Sequence, residues 1–259
     1  MFLERSVDRG VSVKVLGAGA NVLVSDEGFD GVVVRLDAPF FRSANDNGNR
    51  LCVGAGVDLM PFSREQSYRG RSGLECMAGI PATIGGATRM NAGSAYGEFG
   101  DCVRRVRIVE RDGSIRECNR DELGFGYRHS ELEGMIVTSV ELELPEIDPA
   151  RGKQRFDEFM ALKVRSQPIA KNSAGCVFKN PPGHAAGALI DRAGLKGIRL
   201  GDVEVSRRHA NFIVAGRSAT ASQVIALIDL VRERVLCDSG VALEVEVDIW
   251  RPQTLESCI

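Results

Sequence analysis

The sequence is short of several things, and each shortage removes a class of protein. Among 259 residues there are three histidines, and the seven cysteines (52, 76, 102, 118, 176, 237 and 258) form no Cys-x-x-Cys pair, which argues against a structural zinc site. Thiols odd in number and scattered in this way fit a reducing cytoplasm. Charge of one sign is not in excess, since 33 basic and 35 acidic residues leave a formal charge of −2. There is no basic block and no basic stripe interleaved with aromatics, so nucleic acid is not an expected partner. No apolar run approaches the ~20 residues that span a bilayer, so no membrane association is expected. The start, Met1-Phe2-Leu3-Glu4-Arg5, lacks the pattern of a signal peptide.

What is present describes a soluble globular protein, with 44% hydrophobic and 26% charged residues and enough length for one large domain or two ordinary ones. Glycine is plentiful at 29 residues, many of them between Gly54 and Gly100. Apolar residues interleave that cluster, which suggests backbone-lined ligand sites rather than a linker.

The first half reads as strands joined by tight turns: Val11–Leu16, Gly31–Leu36, Arg50–Val53 and Met135–Leu144. Val57–Arg69 has helical character, with Leu59, Phe62 and Gln66 on one side and Gly70 as its C-cap. Val103–Arg111 and Ser114–Cys118 flank Asp112-Gly113, a hairpin signal. The prolines of Pro145-Glu146-Ile147-Asp148-Pro149 break the pattern and place a domain boundary between 147 and 148. Beyond it, Gln154–Arg165 and His184–Gly194 read as helices. Thr220-Ala221-Ser222-Gln223 reads as a capping box ahead of an amphipathic helix carrying Val224, Leu227, Ile228, Val231 and Val235. Val241–Ile249 reads as a closing, alternating strand. Helices and strands alternate in both halves, so the class is α+β.

Several segments carry chemistry. Gly17-Ala18-Gly19-Ala20-Asn21 follows a strand, and small residues there let main-chain N–H groups converge on a pyrophosphate. A Rossmann fingerprint is excluded, because the third glycine is missing and Val22–Asp30 holds no room for a crossover helix. A nucleotide loop and a plain glycine-rich turn both stay open. Gly79-Ile80-Pro81-Ala82-Thr83-Ile84-Gly85-Gly86, followed by Asn91-Ala92-Gly93, is more specific and suits backbone wrapped around an anionic cofactor, against a tight packing corner. In Phe125-Gly126-Tyr127-Arg128-His129-Ser130 a guanidinium suited to a carboxylate fork sits beside groups that hydrogen-bond; alone it reads as a surface arginine, and His129 as structural. Glu246 lies in an apolar stretch that alternates with Glu244 and Asp248, and alone reads as one of three solvent-facing charges. Ser173-Ala174-Gly175-Cys176-Val177-Phe178-Lys179-Asn180-Pro181 sets a thiol near a cation and an amide. It is compatible with a nucleophile, a metal ligand or a buried cysteine. The remaining cysteines read as small apolar packing residues.

Taken in order, VLGAGANVLVSDEGFDGVVV, LECMAGIPATIGGATRMNAG, ELGFGYRHS, SAGCVFKNP, AGLKG, HANFIV and LEVEV resemble the UDP-N-acetylenolpyruvoylglucosamine reductase family over nearly the whole chain. The resemblance implies an FAD-binding domain of the vanillyl-alcohol-oxidase (PCMH) type over residues 1–147 and a C-terminal α+β substrate-binding domain over 148–259. It implies bound FAD, NADPH as hydride donor, and a small-molecule nucleotide-sugar substrate, with no metal and a monomeric, cytoplasmic protein. In this family NADPH reduces the flavin and leaves, and the enolpyruvyl ether then takes hydride at C3 and a proton at C2. By position, Gly17, Ala18, Gly19, Ala20, Asn21, Val22, Gly79, Ile80, Pro81, Thr83, Gly85, Gly86, Asn91 and Gly93 match flavin contacts. Tyr127, Lys179, Asn180, His209 and Asn211 match the substrate side. Arg128 matches the arginine that binds the substrate carboxylate, and Glu246 the glutamate that stabilises the intermediate. Cys176 stands where the family usually has a serine that protonates C2. A thiol ionises at ~8.5, far below a hydroxyl, so it donates a proton readily while it remains protonated.

The sequence departs from the family pattern in two further places. Only ten residues precede Val11, whereas the family carries a strand-helix unit there, which takes ~30 residues; the flavin domain is therefore expected to lack that unit. Ala20 replaces a serine beside Asn21, a lost hydroxyl contact of ~1 kcal/mol. The competing expectations are a weakly FAD-binding or non-catalytic nucleotide-sugar-binding remnant, and another flavin oxidoreductase of the same fold.

Overall fold

The computed structural model describes residues 2–48 and 50–252, so Cys258 lies outside the described residues. The chain forms two compact units. One holds the residues up to Ala18 together with Gly31–Lys163; the other holds Gly19–Asp30 together with the described residues from Val164 onward. The change between units falls within the helix Pro149–Ser166, later than the position expected after residue 147. Pro149 does not break structure there. It opens the helix, where its missing N–H is no loss and its fixed φ suits the first turn.

The first unit is built on a five-stranded antiparallel sheet in the order Ala44–Asn47, Arg50–Gly54, Ile136–Glu143, Val103–Val109, Ile115–Asn119. The expected hairpin forms at Asp112-Gly113, where the Asp112 carboxylate accepts from the Ser114 N–H at 2.8 Å. In the central strand Val140 and Leu142 are buried with Val106 and Ile108 of its neighbour, as the period of two demands, and a register shift after Val137 brings that residue into the same core. The helix Leu59–Tyr68 buries Leu59, Phe62 and Gln66, the face read from the sequence. These residues join Leu74, Met77, Ile84 and Phe99 in one core. Val13–Val15 and Val32–Val34 pair in parallel, and Phe2–Asp8 forms a helix ahead of them that the sequence pattern did not suggest.

The second unit packs the helices Ala186–Arg192 and Ala221–Ser239 with a three-stranded antiparallel sheet, Arg199–Leu200, Val203–Val205 and Ile213–Ala215. The capping box forms as expected. The Thr220 hydroxyl accepts from the Gln223 N–H at 3.2 Å, and the Gln223 side chain accepts from the Thr220 N–H at 3.3 Å. Leu227, Ile228, Val231 and Val235 are buried behind it. Val22–Val24 lies parallel to Asp248–Trp250, so a segment from early in the sequence completes the later unit.

The expected closing strand over 241–249 is corrected: only Asp248–Trp250 is a strand, and Val245 makes a single bridge to Phe178. The reason is local. The Lys179 N–H to Glu244 carbonyl bond at 2.9 Å and the Glu246 N–H to Val177 carbonyl bond at 2.8 Å close the bridge. The next donor on one side would be Pro181, which has no N–H, and on the other side the Asp248 N–H goes to the Asn21 carbonyl at 3.0 Å. Glu244, Glu246 and Asp248 are also not three solvent-facing charges, since only Glu244 is exposed.

Asp26 supplies a second anchor for the long helix. Its carboxylate accepts from the Ala221 N–H at 2.7 Å, the Ser222 N–H at 2.8 Å and the Ser222 hydroxyl. The hydroxyl bond first, and the two main-chain bonds after it, hold its pKa below the ordinary aspartate value. A carboxyl whose pKa is lower in the folded than in the unfolded state stabilises above the unfolded pKa and ceases to as pH falls through the folded one. Asp26→Ala is therefore expected to lower the urea midpoint at pH 7, with the gap from the wild type closing below about pH 4. An equal gap at pH 7 and pH 3 would count against the assignment.

Candidate active site

The first unit gathers two of the expected groups of residues. Gly17 lies directly against the Thr83 turn, where a Cβ would come within 2.6 Å of the threonine hydroxyl. Only glycine fits at that position, so the main chain of one flavin-matched segment lies against the other, the close backbone approach that a glycine allows. Ile84–Arg89 is a short helix, with the Thr83 hydroxyl accepting from the Gly86 N–H at 3.3 Å. Gly85 packs on Ala55, and Gly79 lies under Met160 and Lys163.

The second group surrounds Arg128. Gly126 and His129 exchange main-chain hydrogen bonds of 3.1 and 3.0 Å, closing a turn with Tyr127 and Arg128 at its tip. Arg128 has φ +54, and its guanidinium lies 5.1 Å from the Tyr127 ring centroid, a cation–π contact. One guanidinium nitrogen donates to the Gly93 carbonyl at 2.9 Å. Tyr127 is exposed and Arg128 half-buried. The buried Ser130 ties the turn to the short helix through a 2.6 Å bond to the Arg89 carbonyl. Asn91 and Gly93, matched to the flavin by position, thus meet Tyr127 and Arg128, matched to the substrate. Glu98 and Gly100 complete this cluster and escaped notice in the sequence; their only signal is the Glu98-x-x-Asp101 capping box that opens the turn Phe99–Cys102.

The second unit gathers Ala20, Asn21, Cys176 and Glu246. The Asn21 amide donates to the Glu246 carbonyl at 3.0 Å, and the Asp248 N–H donates to the Asn21 carbonyl at 3.0 Å. Gly175, next to the thiol, lies in contact range of the Ala20 carbonyl. Val177 joins the segment of Cys176 to that of Glu246 through the main chain: its carbonyl accepts from the Glu246 N–H at 2.8 Å, and its N–H donates to the Asn211 carbonyl at 2.9 Å. Cys176 and Glu246 are both half-buried. Asn211 is buried and gives its whole amide to Phe178, so it shapes the thiol segment rather than extending toward a substrate. His209 stacks edge-on to Phe212 at 5.0 Å and accepts from the Asn211 N–H at 3.3 Å. Lys179 pairs with Glu244 at 2.6 Å, and the Asn180 side-chain oxygen accepts from the Ala186 N–H at 3.0 Å.

The cysteines differ in kind. Burial, with a lesser push from nearby acids, raises the Cys76 thiol to about 11, and burial foremost raises Cys102 to about 12. Cys118 is buried as well, but Cys237 is exposed and Cys52 only half-buried, so those two do not fill the packing role expected of them. Among the described residues no cluster of three or more His, Cys, Asp or Glu side chains is arranged to hold a metal ion, and no helix is long and apolar enough to cross a membrane.

A close approach of glycine-bearing segments in a mixed α/β fold, with a cation turn in one unit and a thiol and carboxyl on paired segments in the other, is the layout of a flavin-dependent oxidoreductase. Residues 3–119 match the model of an FAD binding domain, and 167–250 match the UDP-N-acetylenolpyruvoylglucosamine reductase C-terminal domain. Over 251 residues the sequence is 43% identical to a UDP-N-acetylenolpyruvoylglucosamine reductase of Heliobacterium modesticaldum, covering 96% of this chain and 80% of that one. It is 42% identical to UDP-N-acetylenolpyruvoylglucosamine reductase 2 of Symbiobacterium thermophilum, covering 96% and 81%. The crystal structure of a UDP-N-acetylenolpyruvylglucosamine reductase from Thermus caldophilus superimposes with a TM-score of 0.83 at 40% identity, over 96% of this chain and 90% of that one. The chain belongs to the UDP-N-acetylenolpyruvoylglucosamine reductase family, and it is an FAD-dependent oxidoreductase.

Proposed function

We propose that the protein reduces UDP-N-acetylglucosamine enolpyruvate to UDP-N-acetylmuramate with NADPH, in the cytoplasm and as a monomer, serving peptidoglycan synthesis. The observation that carries the reading is the Val177 junction, which bonds the segment that bears the Cys176 thiol to the segment that bears the Glu246 carboxyl. Residues 17–22 and 79–81 with Thr83, Gly85, Gly86, Asn91 and Gly93 hold FAD, a reading supported by the close approach of Gly17 to Thr83. When bound, FAD supplies two-electron hydride chemistry between NADPH and the enolpyruvyl double bond. Arg128 grips the substrate carboxylate and stabilises the charge that spreads onto it as C3 gains hydride. Cys176 then delivers a proton from its thiol to C2, and the resulting thiolate is reprotonated from solvent. Glu246 assists at the same end, which a carboxyl does by donating its own proton or through a bound water. Among the substrate-side matches, Tyr127 and Asn180 are exposed, whereas Asn211 is buried and bonds the main chain of Phe178.

The test is a two-step stopped-flow experiment on FAD-loaded protein. NADPH is expected to bleach the flavin, and the enolpyruvyl substrate to restore its absorbance with formation of UDP-N-acetylmuramate. Bleaching by NADPH without reoxidation by this substrate would favour another flavin oxidoreductase. Failure to take up FAD would favour a binding remnant.

A further inference from the structure

We propose that Asn91 is a positioning residue for Arg128, holding the turn that aims the guanidinium; the inference rests on the reading of Arg128 as the partner of the substrate carboxylate. Among the described residues the non-glycine positions with left-handed backbone are Asn91, at φ +41, and Arg128, at φ +54. Asparagine tolerates that region better than most residues, whereas arginine has no special ease there and stays only where its surroundings over-determine it. The surroundings here lead back to Asn91. Its amide nitrogen donates to the Gly126 carbonyl at 2.9 Å, the same carbonyl that closes the Arg128 turn by accepting from His129.

The other hydrogen of that nitrogen goes to the Glu98 carboxylate at 2.6 Å, and the amide oxygen accepts from the Gly100 N–H at 2.9 Å. A main-chain N–H can only donate and a carbonyl can only accept, so these partners fix which end of the amide is which. The side chain is 1% exposed, and both of its hydrogens are committed to protein acceptors. Gly100 makes the seat possible, since a Cβ there would come within 2.8 Å of the Asn91 oxygen. Two residues beyond Asn91, the Gly93 carbonyl takes the Arg128 guanidinium itself. One short segment therefore holds the Arg128 turn at its base and at its tip. The flavin contact matched to Asn91 by position does not account for this arrangement.

Asn91→Gly deletes the amide while leaving the left-handed backbone accessible. The variant is loaded with FAD and substrate affinity is read per bound flavin, so that any loss of the flavin contact matched to position 91 is separated from loss of substrate. Affinity for the enolpyruvyl substrate, read from the flavin absorbance change on titration, is expected to fall roughly 10- to 100-fold, the scale of a misplaced binding group. In an Arg128→Ala background the same substitution is expected to cost nothing further, because the residue acts through Arg128. Unchanged substrate affinity, an additive loss in the double variant, or lost flavin with retained substrate affinity would each overturn the proposal. If Asn91→Gly does not accumulate as folded protein, Asn91→Asp is read in the same way, since it keeps the size and the Gly100 bond but turns an acceptor toward the Gly126 carbonyl. Wild-type protein that fails to bind the enolpyruvyl substrate would overturn the functional reading itself. Wild-type binding with a normal Asn91→Gly variant would overturn only the role of Asn91.

Discussion

Alanine at position 176 is expected to leave flavin reduction by NADPH at the wild-type rate and to slow reoxidation by the enolpyruvyl substrate about 10²- to 10⁴-fold, the loss that follows removal of a general acid. The structure favours a clean result. The main chain around the thiol is fixed by Val177 and Phe178, through Glu246 and Asn211, and none of those bonds involves the position 176 side chain. Cys176→Ser is expected to retain most of the activity, and the loss at alkaline pH as thiolate forms should move upward in that variant. Thiol alkylation of the reduced enzyme should mimic the alanine variant. The experiment needs a background with serine at positions 52, 237 and 258, because Cys237 is exposed, Cys52 is as half-buried as Cys176 and Cys258 lies outside the described residues, whereas Cys76 and Cys102 are buried with raised pKa values. Single-turnover reoxidation is the measurement, and wild-type speed in Cys176→Ala would sink the assignment.

Arg128→Ala and Arg128→Gly are both expected to weaken substrate binding about 100-fold or more, as loss of a charged, bidentate partner implies. Their stabilities should separate them. Glycine occupies the left-handed region without penalty, while alanine keeps the Cβ that makes it unfavourable, so the glycine variant should be more stable than the alanine variant by about 1 kcal/mol. That order reverses the usual one, in which glycine costs stability through the unfolded chain. Paired urea titrations of the two variants decide the matter. Alanine equal to or better than glycine would show that the turn relaxes and that no strain is held at Arg128.

Legibility in the sequence followed the range of the interactions. Asp112-Gly113 and Thr220–Gln223 announce themselves because a turn and a capping box are satisfied within a few residues, and both formed where expected. The face of Leu59–Tyr68 was equally plain, since helical periodicity shows in a short window. The strand expected over 241–249 misled because its alternation is real, while the segment that would extend the pairing runs into Pro181 and the Asp248 N–H is taken by Asn21. The site divides in the same way. Ordered motifs and family resemblance pointed to Arg128, Cys176 and Glu246. The bonds that set Asn91 under Gly126, or Asn21 beside Glu246, join residues 35 and 225 positions apart, and no local pattern encodes them.

The membership of Gly19–Asp30 in the second unit has a consequence for how that unit is completed. Its strand Val22–Val24 is made early in synthesis, and its parallel partner Asp248–Trp250 only after almost all of the intervening chain. Closing so long a loop carries a large entropic cost before any contact repays it, so this pairing belongs to the slow end of folding. A fragment beginning at Val164 would have the later strand without its neighbour, leaving the Asp248–Trp250 edge unpaired along that side. Contiguous sequence and independent folding unit are therefore different things in this protein, and the stretch that separates them includes Gly19–Val22 of the Gly17–Val22 loop.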